Sequence, residues 1–171
     1  INIPARTAAA HTKLLDKLKS NHVTDLFAKN TRLILDTKKA KLGIISSGVA
    51  TSYLNEIISN NKLQETFSLL EIGLIHPFPE SETLNFLKRN FDKILILEEL
   101  YPFIENCIRN LAQKNKLTVN IVGKGFSAIV STGEFSTDII SKVLEDFIGN
   151  DYETKKNKPL DNLEAIIKNL P

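Results

Sequence analysis

Leu42-Gly43-Ile44-Ile45-Ser46-Ser47-Gly48-Val49-Ala50 is the stretch that decides the fold of this chain. Leu42 to Ile45 is a short apolar run rich in β-branched residues, which predicts a strand covered on both faces. Ser46, Ser47 and Gly48 break the run, and Tyr53, Leu54, Ile57 and Ile58 follow at helical spacing. A buried strand, a tight polar turn and an amphipathic helix form the opening half of a βαβ unit. Backbone N–H groups at the start of that helix make Ser46, Ser47 and Gly48 a candidate anion turn.

Outward from that unit, Leu33-Ile34-Leu35 reads as a strand, and the polar connection Asp36 to Lys41 has hairpin length. This predicts antiparallel pairing with Leu42–Ser46. Upstream, Pro4 precedes a polar helix with a narrow stripe of Leu14, Leu15 and Leu18, ended by Ser20-Asn21-His22. So thin a stripe places this helix on the surface or against something outside the chain. Downstream, Thr66 to Ile75 is predicted as a second central strand, running into His76-Pro77-Phe78-Pro79, where two prolines stop both ladder and helix. Pro79 or Glu80 opens the next helix, with Leu84, Leu87 and Phe91 as its buried stripe.

Ile94-Leu95-Ile96-Leu97 is the most strand-like run and is placed mid-sheet. Pro102 marks a helix start, with Ile104, Cys107, Ile108 and Leu111 on the apolar face. Leu117 to Val122 alternates as an edge strand should, Gly123 to Glu134 is an irregular loop, and Ser136 is the N-cap of a last apolar-striped helix. Asn150 to Lys158 reads as a charged linker before a short helix from Asp161. The expected architecture is a three-layer α/β/α sandwich around a mixed five-stranded sheet whose first strand is antiparallel. The expected organisation is a helical lead-in over 1–30, the α/β domain over 31–149, and a linker with a short helix over 150–171.

Composition narrows the function. A net charge of +2, with charged residues making up 25% of 171, gives no nucleic-acid or membrane signature. One cysteine, Cys107, excludes an internal disulfide and any Cys-cluster metal or iron–sulfur site. No apolar run approaches the length of a membrane span, and a reducing, cytoplasmic setting is expected. The chain lacks methionine and opens on Ile1, which reads as a processed chain or a piece of a longer one.

The familiar catalytic patterns are absent. Gly43 and Gly48 lack dinucleotide-motif spacing, Gly123-Lys124-Gly125 lacks the P-loop context, and Ile44 stands where a nucleophile elbow needs glycine. His11, His22 and His76 are too far apart for ligand spacing on one helix, so no metal site is expected. Cys107, on an apolar helix face with no activating cation evident, reads as packing. Glu98 and Glu99 end the strongest strand, at the edge where ligands of open α/β sheets sit. Adjacent residues point opposite ways, however, so one is expected to cap the next helix and the other to be solvated. His76, Phe78, Glu98, Glu99, Tyr101 and Phe103 lie in loops at one edge of the sheet and form a candidate interdomain interface. The aromatic residues either face a partner or fold back over their own helices.

With these pieces placed, the chain resembles part of the large (alpha) subunit of indolepyruvate:ferredoxin oxidoreductases, thiamine diphosphate enzymes of the 2-oxoacid:ferredoxin oxidoreductase group. Five stretches in order carry the resemblance. They are Pro4-Ala5-Arg6 with His11, Leu14 and Leu15; Leu42 to Ala50; Leu74 to Glu80; Leu97 to Glu105; and Val122-Gly123-Lys124 with Gly133 to Ser136. The resemblance implies a transketolase C-terminal-like domain lying between the thiamine-binding domains. It also implies, for the full enzyme, thiamine diphosphate, Mg and iron–sulfur clusters, with the smaller beta subunit and ferredoxin as partners. The family's Gly-Asp-Gly motif and ferredoxin-like cysteine clusters are missing from this chain. A structural, interface-forming and non-catalytic role, with no cofactor or metal of its own, is therefore the expectation. Two other readings stay open. One is a stand-alone α/β module binding a small anion at the Ser46–Ala50 turn; the other is a domain of another thiamine-dependent 2-oxoacid oxidoreductase or dehydrogenase.

Overall fold

The computed structural model describes residues 4–149. The chain begins with helices α1 (Pro4–Leu18) and α2 (Asn21–Asn30), then forms strands β1 (Thr31–Leu35) and β2 (Leu42–Ser46). Helix α3 (Val49–Asn61), strand β3 (Phe67–Ile72), helix α4 (Glu80–Leu87) and strand β4 (Lys93–Leu97) follow. Helix α5 (Phe103–Lys114), strand β5 (Ile121–Val122) and helix α6 (Thr137–Ile148) complete the described part. The strand order is β1-β3-β2-β4-β5, with β1 antiparallel to β3 and the other pairs parallel. The linker and short helix read from the sequence over 150–171 lie outside the described residues.

Successive residues of the interior strands feed two separate cores, which is why their sequences are apolar without alternation. Ile44, Leu69, Leu95 and Leu97 meet Leu54 and Ile57 of α3 and Val143, Leu144 and Phe147 of α6. Ile45, Leu70, Ile94 and Ile96 meet Phe86 and Leu87 of α4 and Ile104, Ile108 and Leu111 of α5. Each fully buried Ile or Leu contributes about 1.5–3 kcal/mol, so helices on both faces are the stable arrangement.

The predicted hairpin is corrected. β1 runs opposite to β2 in direction but pairs with β3 instead. β3 is buried at almost every position and needs a strand on each side, whereas β1 is half exposed and suits an edge. The connection steps past the start of β3, where the Ser68 hydroxyl accepts from Thr37 N (3.2 Å) and donates to Thr37 O (3.1 Å). Six residues span up to about 20 Å, ample for skipping one strand at about 4.8 Å spacing. The cross-strand pair Arg32–Glu71, Nε to Oε2 2.9 Å, helps set the register.

Three further boundaries differ from the reading of the sequence. The segment after Ser20 is a second helix, and Asn30 at its end accepts from Gly73 N at 2.7 Å. β3 stops at Ile72, and the loop beyond contains a cis His76–Pro77 peptide. β5 keeps only Ile121 and Val122 of the predicted edge strand, with Ile94 N donating to Asn120 O just before it. α4 starts after Pro79 as expected, and Ser136 caps α6 by accepting from Ile139 N at 3.3 Å.

Candidate functional site at the carboxyl edge

Strands β2, β3 and β4 are parallel and deliver their carboxyl ends, and the loops that follow, to one edge of the sheet. A cleft of about 360 Å³ opens there. Ser47, Gly48 and Val49 line it from the β2–α3 turn, and Ile75 from the loop after β3. Glu98, Glu99, Leu100 and Tyr101 line it from the end of β4, with Phe103 and Ile104 from the start of α5.

The floor is a polar network in which Glu98 lines the cleft and is linked to Glu105, Arg109 and Lys124, which do not line it. Glu98 is 6% exposed, and its carboxylate accepts from Ile104 N (2.7 Å) and Glu105 N (2.8 Å) at the start of α5. Two helix N–H groups that lack intrahelical partners are thereby satisfied. Glu105 accepts from Arg109 Nε (2.9 Å) and Nη2 (2.7 Å) through Oε1, and from Lys124 N (2.8 Å) through Oε2. Arg109 Nη2 also donates to Ile121 O at 3.0 Å, and Lys124 Nζ donates to Glu98 O and, at 3.2 Å, to Val130 O. A Cβ at position 123 would lie 2.2 Å from Glu105 Oε2, so any larger residue there would have to displace the Glu105 carboxylate. Burial raises the Glu98 carboxyl above the ordinary 4.5, against the opposing pull of the two helix N–H groups and Lys124. Burial likewise lowers Lys124 below 10.5, despite the nearby carboxylates of Glu98, Glu105 and Glu99.

Adjacent glutamates take different roles. Glu98 caps α5, as expected of one member of the pair. Glu99 is not simply solvated: it is half-buried and accepts from Phe135 N through Oε1 at 2.8 Å, tying the loop before α6 to the end of β4. The Ser46 hydroxyl is buried and paired with Thr51 Oγ1 at 2.8 Å, inside the β2–α3 junction. Ser47 N donates to Leu97 O at 3.2 Å, and Gly48 is exposed at φ +63 as the residue before α3, a backbone region that glycine enters without strain.

The rim is apolar and outward-facing. Tyr101 is 71% exposed and Leu100 57%, with Ile75, Val49 and Phe103 near 40%. Leu100 sits at φ +55, a left-handed conformation that a non-glycine residue holds at a cost of about 1 kcal/mol. Phe78 behaves differently: it is half-buried against the α4–α5 core and lies with Leu18, Pro77 and Pro79 along a separate depression of about 120 Å³. His76 is exposed in the same loop. Phe78 therefore folds inward, whereas Tyr101 is exposed.

Reasoning from sequence overlooked Glu105, Arg109 and Lys124. The i,i+4 spacing of Glu105 and Arg109 was a usable signal; Lys124 carried none beyond a glycine turn. Cys107 is half-buried on α5, and burial raises its thiol above 9.0, with Glu98 and Glu80 adding to the effect. Among the described residues, no group of three or more His, Cys, Asp or Glu could hold a metal ion. No helix among them is long and apolar enough to cross a membrane.

No protein-family model matches the chain. The indolepyruvate oxidoreductase subunit IorA of Methanothermobacter thermautotrophicus is 25% identical over 149 residues, covering 87% of this chain and 24% of that protein. The subunits of the same name from Thermococcus kodakarensis and Pyrococcus horikoshii are 27% and 28% identical, each over 72% of this chain and 19% of the relative. The chain spans about a quarter or less of the length of these curated relatives, and it is a domain related to IorA.

Proposed function

We propose that this relative of IorA is a structural, interface-forming domain of an indolepyruvate (aryl 2-oxoacid):ferredoxin oxidoreductase, packed through the carboxyl edge of its sheet against other domains of the subunit. In this reading residues 31–149 are the folded unit, 1–30 a helical lead-in and 150–171 a linker with a short helix. The observation that carries it is the contrast at the cleft, where internally bonded polar groups lie under a rim of exposed Leu100, Tyr101, Ile75 and Phe103. A contiguous apolar surface of this kind marks a contact with another protein surface. The assembled cytoplasmic enzyme would convert an aryl 2-oxoacid and coenzyme A to acyl-CoA and CO2, passing two electrons to ferredoxin.

Thiamine diphosphate, Mg and iron–sulfur clusters would supply the carbanion and electron chemistry, and the residues of this chain do not suit the clusters, nor the described ones the metal. Cluster ligation takes several thiolates and the chain has one cysteine. Among the described residues no acidic or histidine group suits a metal. In this reading the groups belong to the rest of the enzyme, with the smaller beta subunit and ferredoxin as partners.

Hydroxyl-radical footprinting of the isolated chain and of the assembled oxidoreductase tests the interface. Tyr101 and Phe103 should be modified in the isolated chain and protected in the assembly; equal modification in both would remove the interface. Calorimetric titration with thiamine diphosphate and Mg²⁺ tests the non-catalytic role, since tight binding to the chain alone contradicts it.

A further inference from the structure

Resting on the interface reading, we infer that the carboxyl-edge cleft receives an arginine side chain carried on an apolar segment of another domain of the oxidoreductase. Among the described residues, the charged groups lining the cleft are two carboxylates, Glu98 and Glu99, and no basic side chain. Both Glu98 oxygens are occupied by the start of α5, whereas Glu99 uses only Oε1, on Phe135 N. Glu99 Oε2 takes no hydrogen bond among the described residues and belongs to a cleft-lining side chain. Lys124 offsets part of this negative charge, but it does not line the cleft, and its ammonium donates to the carbonyls of Glu98 and Val130.

Around that carboxylate the walls are apolar and aromatic: Val49 and Ile75 on one part, Tyr101 and Phe103 on another. Arginine matches this combination group by group. Its planar guanidinium pairs with a carboxylate, its face stacks on an aromatic ring, and its methylene stem lies against aliphatic surface. A lysine would satisfy the charge without the stacking, and an anionic occupant would meet two carboxylates. The exposed left-handed turn at Leu100 keeps Tyr101 outside the α4–α5 core, where such stacking is available.

The test is NMR titration of the ¹⁵N-labelled chain with acetyl-Leu-Arg-Phe-amide at millimolar concentration. Parallel titrations use peptides carrying citrulline, which keeps the shape and loses the charge, or glutamate in place of arginine. Shift changes should map to Ser47–Val49, Ile75 and Leu100–Ile104. Citrulline in the peptide or Glu99→Gln in the protein should each weaken binding by about five-fold, the upper range for a partly exposed ion pair. Glu99→Gln keeps the acceptor for Phe135 N, and Tyr101→Ala, at an exposed residue whose side chain has no hydrogen-bond partner among the described residues, should weaken the arginine peptide without altering the melting temperature. Equal binding of the citrulline or glutamate peptide would overturn the arginine assignment while leaving an apolar interface in place. Absence of shifts with every peptide, or shifts confined to another face, overturns it too. Loss of the interface itself is read separately, by the footprinting.

Discussion

The floor and the rim of the carboxyl-edge cleft are built from neighbouring residues of one strand-to-helix corner, yet they obey different physics. In the floor, Glu98, Glu105, Arg109 and Lys124 exchange hydrogen bonds with one another's side chains and backbone. In the rim, Leu100 and Tyr101 leave apolar surface in water, with Leu100 in a strained backbone conformation. Buried polar groups are costly unless paired, so the hydrogen bonds of buried Glu98 and Glu105 belong to stability. Exposed apolar groups contribute little to the fold of the isolated chain, so the rim is free to serve a partner.

Substitutions can break that contrast or sharpen it. Gly123→Ala should have the largest effect, because its methyl would displace the Glu105 carboxylate from Lys124 N, costing about 3 kcal/mol. A urea unfolding midpoint shifted accordingly, at unchanged m, is the expected outcome. Glu98→Ala should cost about 2 kcal/mol by leaving two N–H groups at the start of α5 without an acceptor. A wild-type midpoint for either variant would mean that these hydrogen bonds do not belong to stability.

The pH dependence gives a smaller, signed test. The folded-state pKa of Glu98 is raised, so its contribution to stability is fully present below the unfolded value and is lost as pH rises through the folded one. The stability of wild type relative to Glu98→Gln should therefore decline as pH rises from below 4.5 to above the raised pKa. A flat difference across that window would show that Glu98 is not desolvated as the structure places it. At the rim, Tyr101→Ala should change stability least, within about 0.5 kcal/mol, by thermal unfolding of the isolated chain. A loss as large as that of Glu98→Ala would erase the distinction between the two regions.

Parts of this site were legible in the sequence and parts were not. The loops after β3 and β4 could be placed at one edge because each follows a strand of the same parallel set. The capping role of one glutamate followed from alternation along the strand. The fate of Glu99 did not, since its partner, Phe135, lies far along the chain and beyond an irregular loop. Lys124 falls in an irregular loop, and nothing local shows that its ammonium reaches the carbonyl of Glu98. The inward turn of Phe78 and the outward one of Tyr101 were equally invisible, because proline-bracketed aromatic loops of similar composition permit either.

By itself the sequence determined that Ile44-Ile45 and Ile94 to Leu97 are interior strands between two helical layers. Their apolar residues fall on both faces, and only a sheet covered on each side buries them all. Pro79, Pro102 and Ser136 likewise marked their helix starts through backbone constraint and capping chemistry, which act within a few residues. The neighbour of β1 was decided by the tertiary structure. A strand that can pair with either β2 or β3 goes where the more fully apolar strand would otherwise be left at an open edge, and that competition is settled only when all five strands are present.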